Sequence, residues 1–170
     1  MVRPETEWRW RTFDSVYQSH GFPKDELAKA MPWRPAQLHD LRSQFRSHIL
    51  KEDDTLDIGN YSFRCVETPG HSPGHICLYE SNQKILVSGD HILDTIIPNI
   101  GYWSELENPF EEYLASLEKV SQLEVDVVLP GHRNIFYDLT RRIIELKKLY
   151  ATRLTQILIS LDGGEKTLIR

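Results

Sequence analysis

Three residues of metal-ligand type follow three apolar runs. The run Tyr61–Glu67 breaks at Thr68-Pro69-Gly70-His71, Lys84–Val87 ends in Ser88-Gly89-Asp90, and Val125–Leu129 ends in Pro130-Gly131-His132. Proline and glycine stop a strand and free the backbone to set the next side chain at its tip. Taken singly, a histidine after a glycine reads as a loop residue. Three strand ends that each deliver a His or an Asp read as a candidate site, because loops at strand ends are rigid platforms for converging side chains. Imidazole and carboxylate are donors that a borderline cation such as zinc accepts.

The motifs TPGHSPGH, SGD and LPGH, in that order, resemble the second half of the metallo-β-lactamase superfamily on its glyoxalase II-like side, roughly over residues 55–136. The resemblance implies that His71 is a metal ligand, that Asp90 bridges two metals and carries the catalytic role, and that His132 binds the second metal. It further implies zinc as cofactor and a metal-bound hydroxide that attacks a small acyl substrate such as a thioester or lactone. A carboxylate suits the bridging position because two oxygens and a negative charge offset two cations. Within the same fold the alternative is a phosphodiester (RNA) hydrolase. Outside catalysis, the alternative is a half-domain that binds a partner.

The chain departs from the family at one point. The signature H-x-H-x-D-H, which supplies the other ligands, is absent. The histidines are His20, His39, His48, His71, His75, His91 and His132, and no two are separated by a single residue. By the family's pattern the chain holds half of a two-metal site, and activity of the chain alone is not expected. His75 follows Pro73-Gly74 and starts the next strand, so it reads as a support for the ligands. His91, beside Asp90, is a pocket or supporting candidate, and Asp94 with Thr95 is placed at the mouth. His20, His39 and His48 lack partners at ligand spacing and read as structural.

The 170 residues suffice for one domain with a real core. Hydrophobic content of 40% and charged content of 26% are ordinary for a globular protein. A net charge of −5 supplies no global basic field, which disfavours nucleic acid as a partner. Cys65 and Cys77 lie inside strand-like runs and read as small buried apolar residues rather than a disulfide. No apolar run approaches a membrane span and the first residues do not open a signal peptide, so the expectation is a cytoplasmic protein acting on a small molecule.

The elements that must position these residues follow from periodicity. Trp10, Phe13, Tyr17 and His20 give a helical stripe, Pro23 opens a short helix over Asp25–Met31, and Leu38, Leu41, Phe45 and Ile49 give the next stripe. Arg34, Arg42 and Arg46 read as a solvated face, and Trp8, Trp10 and Trp33 as core aromatics. From residue 55 the period changes to two. Gly59-Asn60 turns one hairpin and Ser81-Asn82-Gln83 a second, Ile76–Glu80 against Lys84–Val87, which predicts a largely antiparallel sheet. Residues 92–99 read as a loop over the site. Asn108 caps a helix with Pro109 in its first turn and a buried stripe of Phe110, Tyr113, Leu114, Leu117 and Val120. Asp138 caps a long last helix striped by Leu139, Ile143, Leu146, Tyr150, Leu154, Ile157 and Leu161, with Arg141, Arg142, Lys147, Lys148 and Arg153 on a solvated flank. Asp162-Gly163-Gly164 stops it.

The expected architecture is α/β: a partial metallo-β-lactamase αββα sandwich with a largely antiparallel sheet, an N-terminal helical segment and a long C-terminal helix. One incomplete domain spans 1–170, with the helical segment at 1–53, sheet and site loops with one helix at 54–136, and the last helix with the start of a further element at 137–170. Both ends read as cut from a longer enzyme, and the apolar surface so exposed predicts a homo-oligomer.

Overall fold

A computed structural model describes residues 14–19, 21–30, 48–103 and 105–162. The expectations for Trp8, Trp10, Phe13, His20, Trp33, Arg34, Leu38, His39, Leu41, Arg42, Phe45, Arg46 and the stretch after Asp162 lie outside the described residues. The chain divides into two units, one of residues 1–48 and 156–170 and one of residues 49–155.

In the first unit residues 14–19 are helical. Gly21, at φ 85°, follows that helix and donates to the Gln18 carbonyl at 3.0 Å, a left-handed stop that glycine takes without strain. Helix α1 is Lys24–Ala30, preceded by Pro23, with acidic Asp25 and Glu26 in its first turn and Lys29 in its last. Leu27 is its buried residue.

The second unit carries the sheet: β1 (Thr55–Ile58), β2 (Tyr61–Glu67), β3 (Ile76–Glu80), β4 (Ile85–Gly89) and β5 (Val127–Pro130), in that spatial order. The first four pair antiparallel in sequence, and β5 joins β4 in parallel. Local chemistry sets both hairpins. Gly59 takes φ 60°, as a tight turn with glycine at its first central position requires. The buried Glu80 carboxylate accepts from the Asn82 and Gln83 backbone N–H groups at 3.2 and 2.6 Å and closes the second turn.

Two helices cover one face. Helix α2 (Pro109–Ser121) begins at Asn108, whose side chain accepts from the Glu111 N–H at 3.2 Å. Helix α3 (Leu139–Leu161) begins at Asp138, whose carboxylate accepts from the Arg141 N–H at 2.9 Å. Tyr113, Leu117 and Val120 of α2 and Leu139, Ile143, Leu146 and Tyr150 of α3 pack on Val66, Cys77, Tyr79, Leu86 and Val128 of the sheet. Cys65 and Cys77 are buried free thiols.

Three expectations require correction. The long apolar stripe of α3 is buried only to Tyr150; Leu154, Ile157 and Leu161 are exposed. A helix of 23 residues is about 35 Å long, whereas five-residue strands span about 17 Å, so it outruns the sheet beneath it. Ile49 is not helical and is exposed, because the chain there turns into β1 through Asp54, whose carboxylate accepts from the Lys51 N–H at 2.8 Å. Arg142 is not on a solvated flank: its side chain is 13% exposed and caps loop carbonyls.

Candidate metal centre

Sheet topology brings the three strand ends together. Strands β2 and β4 are each antiparallel to β3, and β5 is parallel to β4, so β2, β4 and β5 run in one direction and end at one edge. The ladder between β4 and β5 shifts register at Val87 and Gly89, which pairs Gly89 with Pro130 and sets Asp90 beside Gly131. The Gly131 N–H donates to the Gly89 carbonyl at 2.8 Å.

The Asp90 carboxylate lies between two imidazoles. His71 Nε2 is 3.7 Å from Asp90 Oδ2, and His132 Nε2 is 3.4 Å from Asp90 Oδ1. The two rings therefore face different oxygens and do not converge on one point. Among the described residues no group of three or more His, Cys, Asp and Glu side chains is arranged to hold a single ion. Asp90 Oδ1 is buried without a hydrogen-bond partner. Gly131 permits that: a Cβ there would stand 2.8 Å from Oδ1.

His71 is fixed from behind. Its Nδ1 lies 2.8 Å from the Asn99 carbonyl, an acceptor, so Nδ1 carries the proton and Nε2 keeps a lone pair toward Asp90. Trp103 Nε1 donates to the His71 carbonyl at 2.8 Å. Neither Asn99 nor Trp103 carried a sequence signal. The loop that contains them is held by α3: Arg142 donates to the Leu93 and Ile96 carbonyls at 2.7 and 2.9 Å, and the Tyr150 hydroxyl to the Pro98 carbonyl at 3.0 Å.

The TPGHSPGH loop is closed at its ends. The Thr68 N–H donates to the His75 carbonyl at 2.9 Å, and Thr68 Oγ1 lies 2.7 Å from His75 Nδ1. At its centre Gly70 has φ 130° and packs so closely on α2 that a Cβ would stand 2.5 Å from Tyr113 Cβ. Ser116 of α2 donates to the Pro69 carbonyl at 2.9 Å.

His75 does not reach the carboxylate; its Nε2 accepts from the Asp90 backbone N–H at 3.2 Å. Burial, then the neighbouring His71, pulls its pKa down to about 4. His91 is fully buried, with its ring 5.1 Å from Tyr113 and 5.9 Å from His75 between centroids. Burial first and His75 second hold its pKa down to about 3, against a raising influence of the Ser116 backbone. It sits in the core beneath the site, away from the mouth. Asp94 is half-buried and accepts from Asn134 at 3.5 Å, which links the loop after β4 to the loop of His132. Cys77 lies under the same edge, its thiol pushed up to about 12 by burial.

Comparisons with known proteins bear on the family and the fold. A family model of the metallo-beta-lactamase superfamily matches residues 9–132. The chain is 35% identical over 94 residues to an acyl-coenzyme A thioesterase, MBLAC2, of Gallus gallus, an alignment that covers 53% of this chain and 32% of that protein. It is 35% identical over 94 residues to a hydroxyacylglutathione hydrolase of Hydrogenovibrio crunogenus, covering 55% of this chain and 32% of the relative. The chain thus spans about a third of the length of these curated relatives. The crystal structure of a metallo-beta-lactamase family protein from Thermus thermophilus, TTHA1429, superposes with a TM-score of 0.76 at 30% identity, over 97% of this chain and 51% of that one. With a family model over most of its length and three strand-end motifs at one sheet edge, the chain belongs to the metallo-β-lactamase superfamily.

Proposed function

We propose that the edge around Asp90 is part of a zinc-dependent hydrolytic site for acyl substrates of the thioester kind. The observation that carries this is Asp90 itself: a carboxylate with one imidazole at each oxygen and a buried Oδ1 that no donor satisfies. A buried acceptor without a donor is costly, and a cation removes that cost. Two imidazoles and a carboxylate are a donor set that zinc accepts. The thioesterase and hydroxyacylglutathione hydrolase relatives support the acyl class.

In this reading His71 Nε2, Asp90 and His132 Nε2 are the residues that would hold zinc. Zinc bound there supplies a Lewis acid for the acyl carbonyl and a water acidified to about neutral pKa. Asn99 and Trp103 hold His71 in the tautomer that points Nε2 at the carboxylate. Gly131 leaves room for Oδ1, and Asp94 with Asn134 forms one side of the mouth. Each side of Asp90 offers one nitrogen and one oxygen, and tetrahedral zinc takes four donors, so this chain alone is expected to bind zinc weakly and not to sustain hydrolysis. Exposed Ile144 and Leu154 on α3 support self-association, tested by light scattering, where a single monomer peak counts against it.

The test is zinc per chain by elemental analysis after exposure to saturating zinc, with thiol release from a short-chain acyl-coenzyme A. Wild type is expected to retain more zinc than Asp90→Asn, with thiol release near the uncatalysed rate in both. Equal zinc in wild type and Asp90→Asn overturns the site. Thiol release well above the uncatalysed rate and equal in the two overturns the assignment of hydrolysis to Asp90.

A further inference from the structure

The loop Thr68–His75 contains two histidines, and only His71 faces the Asp90 carboxylate. His75 meets the Asp90 main chain instead, and its partners define which nitrogen holds the proton. An imidazole nitrogen that accepts an N–H carries no hydrogen. His75 Nε2 accepts from the Asp90 N–H at 3.2 Å, so the ring proton is on Nδ1, where Thr68 Oγ1 accepts at 2.7 Å. The Thr68 hydroxyl then has its own proton to give, and Cys77 Sγ lies 3.4 Å away. The Cys77 thiol in turn donates to the Ser88 carbonyl at 3.6 Å.

The three side chains in the middle, His75, Thr68 and Cys77, each donate once and accept once, and the Ser88 carbonyl at the end also accepts from the His91 N–H at 3.0 Å. The circuit starts at Asp90 just after β4, runs through His75 just before β3 and Thr68 just after β2, crosses Cys77 of β3 and ends on Ser88 of β4. A circuit of that kind fixes the direction of each hydrogen bond, since reversing one leaves a buried donor facing a donor. Gly89, at φ 51°, lets the ring approach: a Cβ there would stand 2.8 Å from His75 Nε2.

We infer that His75 is a positioning residue for Asp90, held as the Nδ1–H tautomer by the circuit through Thr68, Cys77 and Ser88. It acts through the main chain. The Asp90 N–H is held by His75 while the Gly89 carbonyl of the same peptide group is held by the Gly131 N–H at 2.8 Å, so the peptide plane that enters Asp90 is fixed at both its donor and its acceptor, and the carboxylate that follows is aimed between His71 and His132. The tautomer stands on the hydrogen bonds alone; its effect on zinc rests on the function proposed above.

Long-range ¹H–¹⁵N correlation spectra of the 170-residue protein without metal read the tautomer directly. The expected pattern for His75 is a protonated Nδ1 and a bare Nε2. An Nε2–H pattern, or an imidazolium at pH 7, overturns the inference. Zinc affinity by competition with a chromogenic chelator is the second readout. His75→Ala is expected to weaken zinc by about 10- to 100-fold, and His75→Gln, whose amide oxygen can accept the Asp90 N–H, to recover most of that loss. Equal affinity in the two variants overturns the positioning role. If His75→Ala does not fold, Thr68→Val takes its place: the Nδ1–H loses its acceptor, zinc affinity is expected to fall several-fold, and an affinity equal to wild type overturns the circuit. Wild type that takes up no zinc defeats the function reading, and the metal-free spectrum still decides the tautomer.

Discussion

The two imidazoles beside Asp90 are held in opposite ways. The His71 side chain is 28% exposed, its Nδ1 bonded to the Asn99 carbonyl and its own carbonyl bonded by Trp103. The His132 side chain is 65% exposed, with its Nε2 3.4 Å from Asp90 Oδ1. Behind His71 stand the closed Thr68–His75 loop, α2 through Ser116 and Tyr113, and a second loop tied to α3. Behind His132 stands a short return from β5, joined to the sheet by the bridge between Val128 and Phe136. The His71 flank is packed and hydrogen-bonded from behind, and the His132 side chain stands in solvent, where ordering it costs side-chain freedom.

Five experiments sharpen or break that contrast. The largest effect is expected from Gly70→Ala on the His71 flank. A φ of 130° and a Cβ 2.5 Å from Tyr113 Cβ combine backbone strain with overpacking, on the order of 4 kcal/mol of lost stability by urea unfolding. Gly131→Ala on the His132 flank introduces a Cβ 2.8 Å from Asp90 Oδ1. It should reduce zinc affinity about tenfold with a smaller change in urea midpoint. If both variants unfold equally, the contrast fails.

Acid is the next lever. His75 and His91 have folded-state pKa values of about 4 and about 3, below the ordinary 6.5. The unfolded chain therefore binds more protons than the folded one between those values and 6.5. Their contribution is complete above pH 6.5, is lost as pH falls below it, and stops changing only below about pH 4 for His75 and about pH 3 for His91. The expected slope is up to about 1.4 kcal/mol per pH unit for each ring. Urea midpoints at pH 7, 6, 5 and 4.5 measure it, and His75→Gln should flatten its share. A midpoint independent of pH from 7 to 5 counts against the buried neutral rings.

Neighbouring arginines supply the smallest pair. Arg142→Ala removes donors to the Leu93 and Ile96 carbonyls and is expected to cost about 1–3 kcal/mol, with a loosened His71 as the secondary sign. Arg141→Ala removes an exposed pair with Glu145 and should leave the urea midpoint unchanged.

Much of the fold was legible because its signals are local. Gly59 and the Glu80 turn, the Asn108 and Asp138 caps, and the Tyr113, Leu117 and Val120 stripe each depend on residues within a turn or two of one another. The roles of Arg142 and Trp103 were not legible. Periodicity places Arg142 off the apolar stripe of α3, and nothing in the spacing says that a loop 46 to 49 residues earlier would present carbonyls to it. The burial of His91 was hidden for the same reason: adjacency to Asp90 says where its backbone is, and α2 decides that its ring goes into the core. The apolar stripe of α3 continues to Leu161 while its burial ends at Tyr150, because a pattern does not state how long its partner is.

The amino-acid order by itself determined which side chains stand at strand ends, since proline and glycine stop a strand wherever they fall and His71, Asp90 and His132 come next. It also determined the family, through three motifs in sequence. Only the tertiary structure decided that the three meet at one edge with His71 and His132 on different oxygens, and that His75 grips the main chain and not the carboxylate. Those distances depend on the parallel pairing of β4 with β5 and its shift at Gly89, contacts between residues about 40 apart whose register no local propensity encodes.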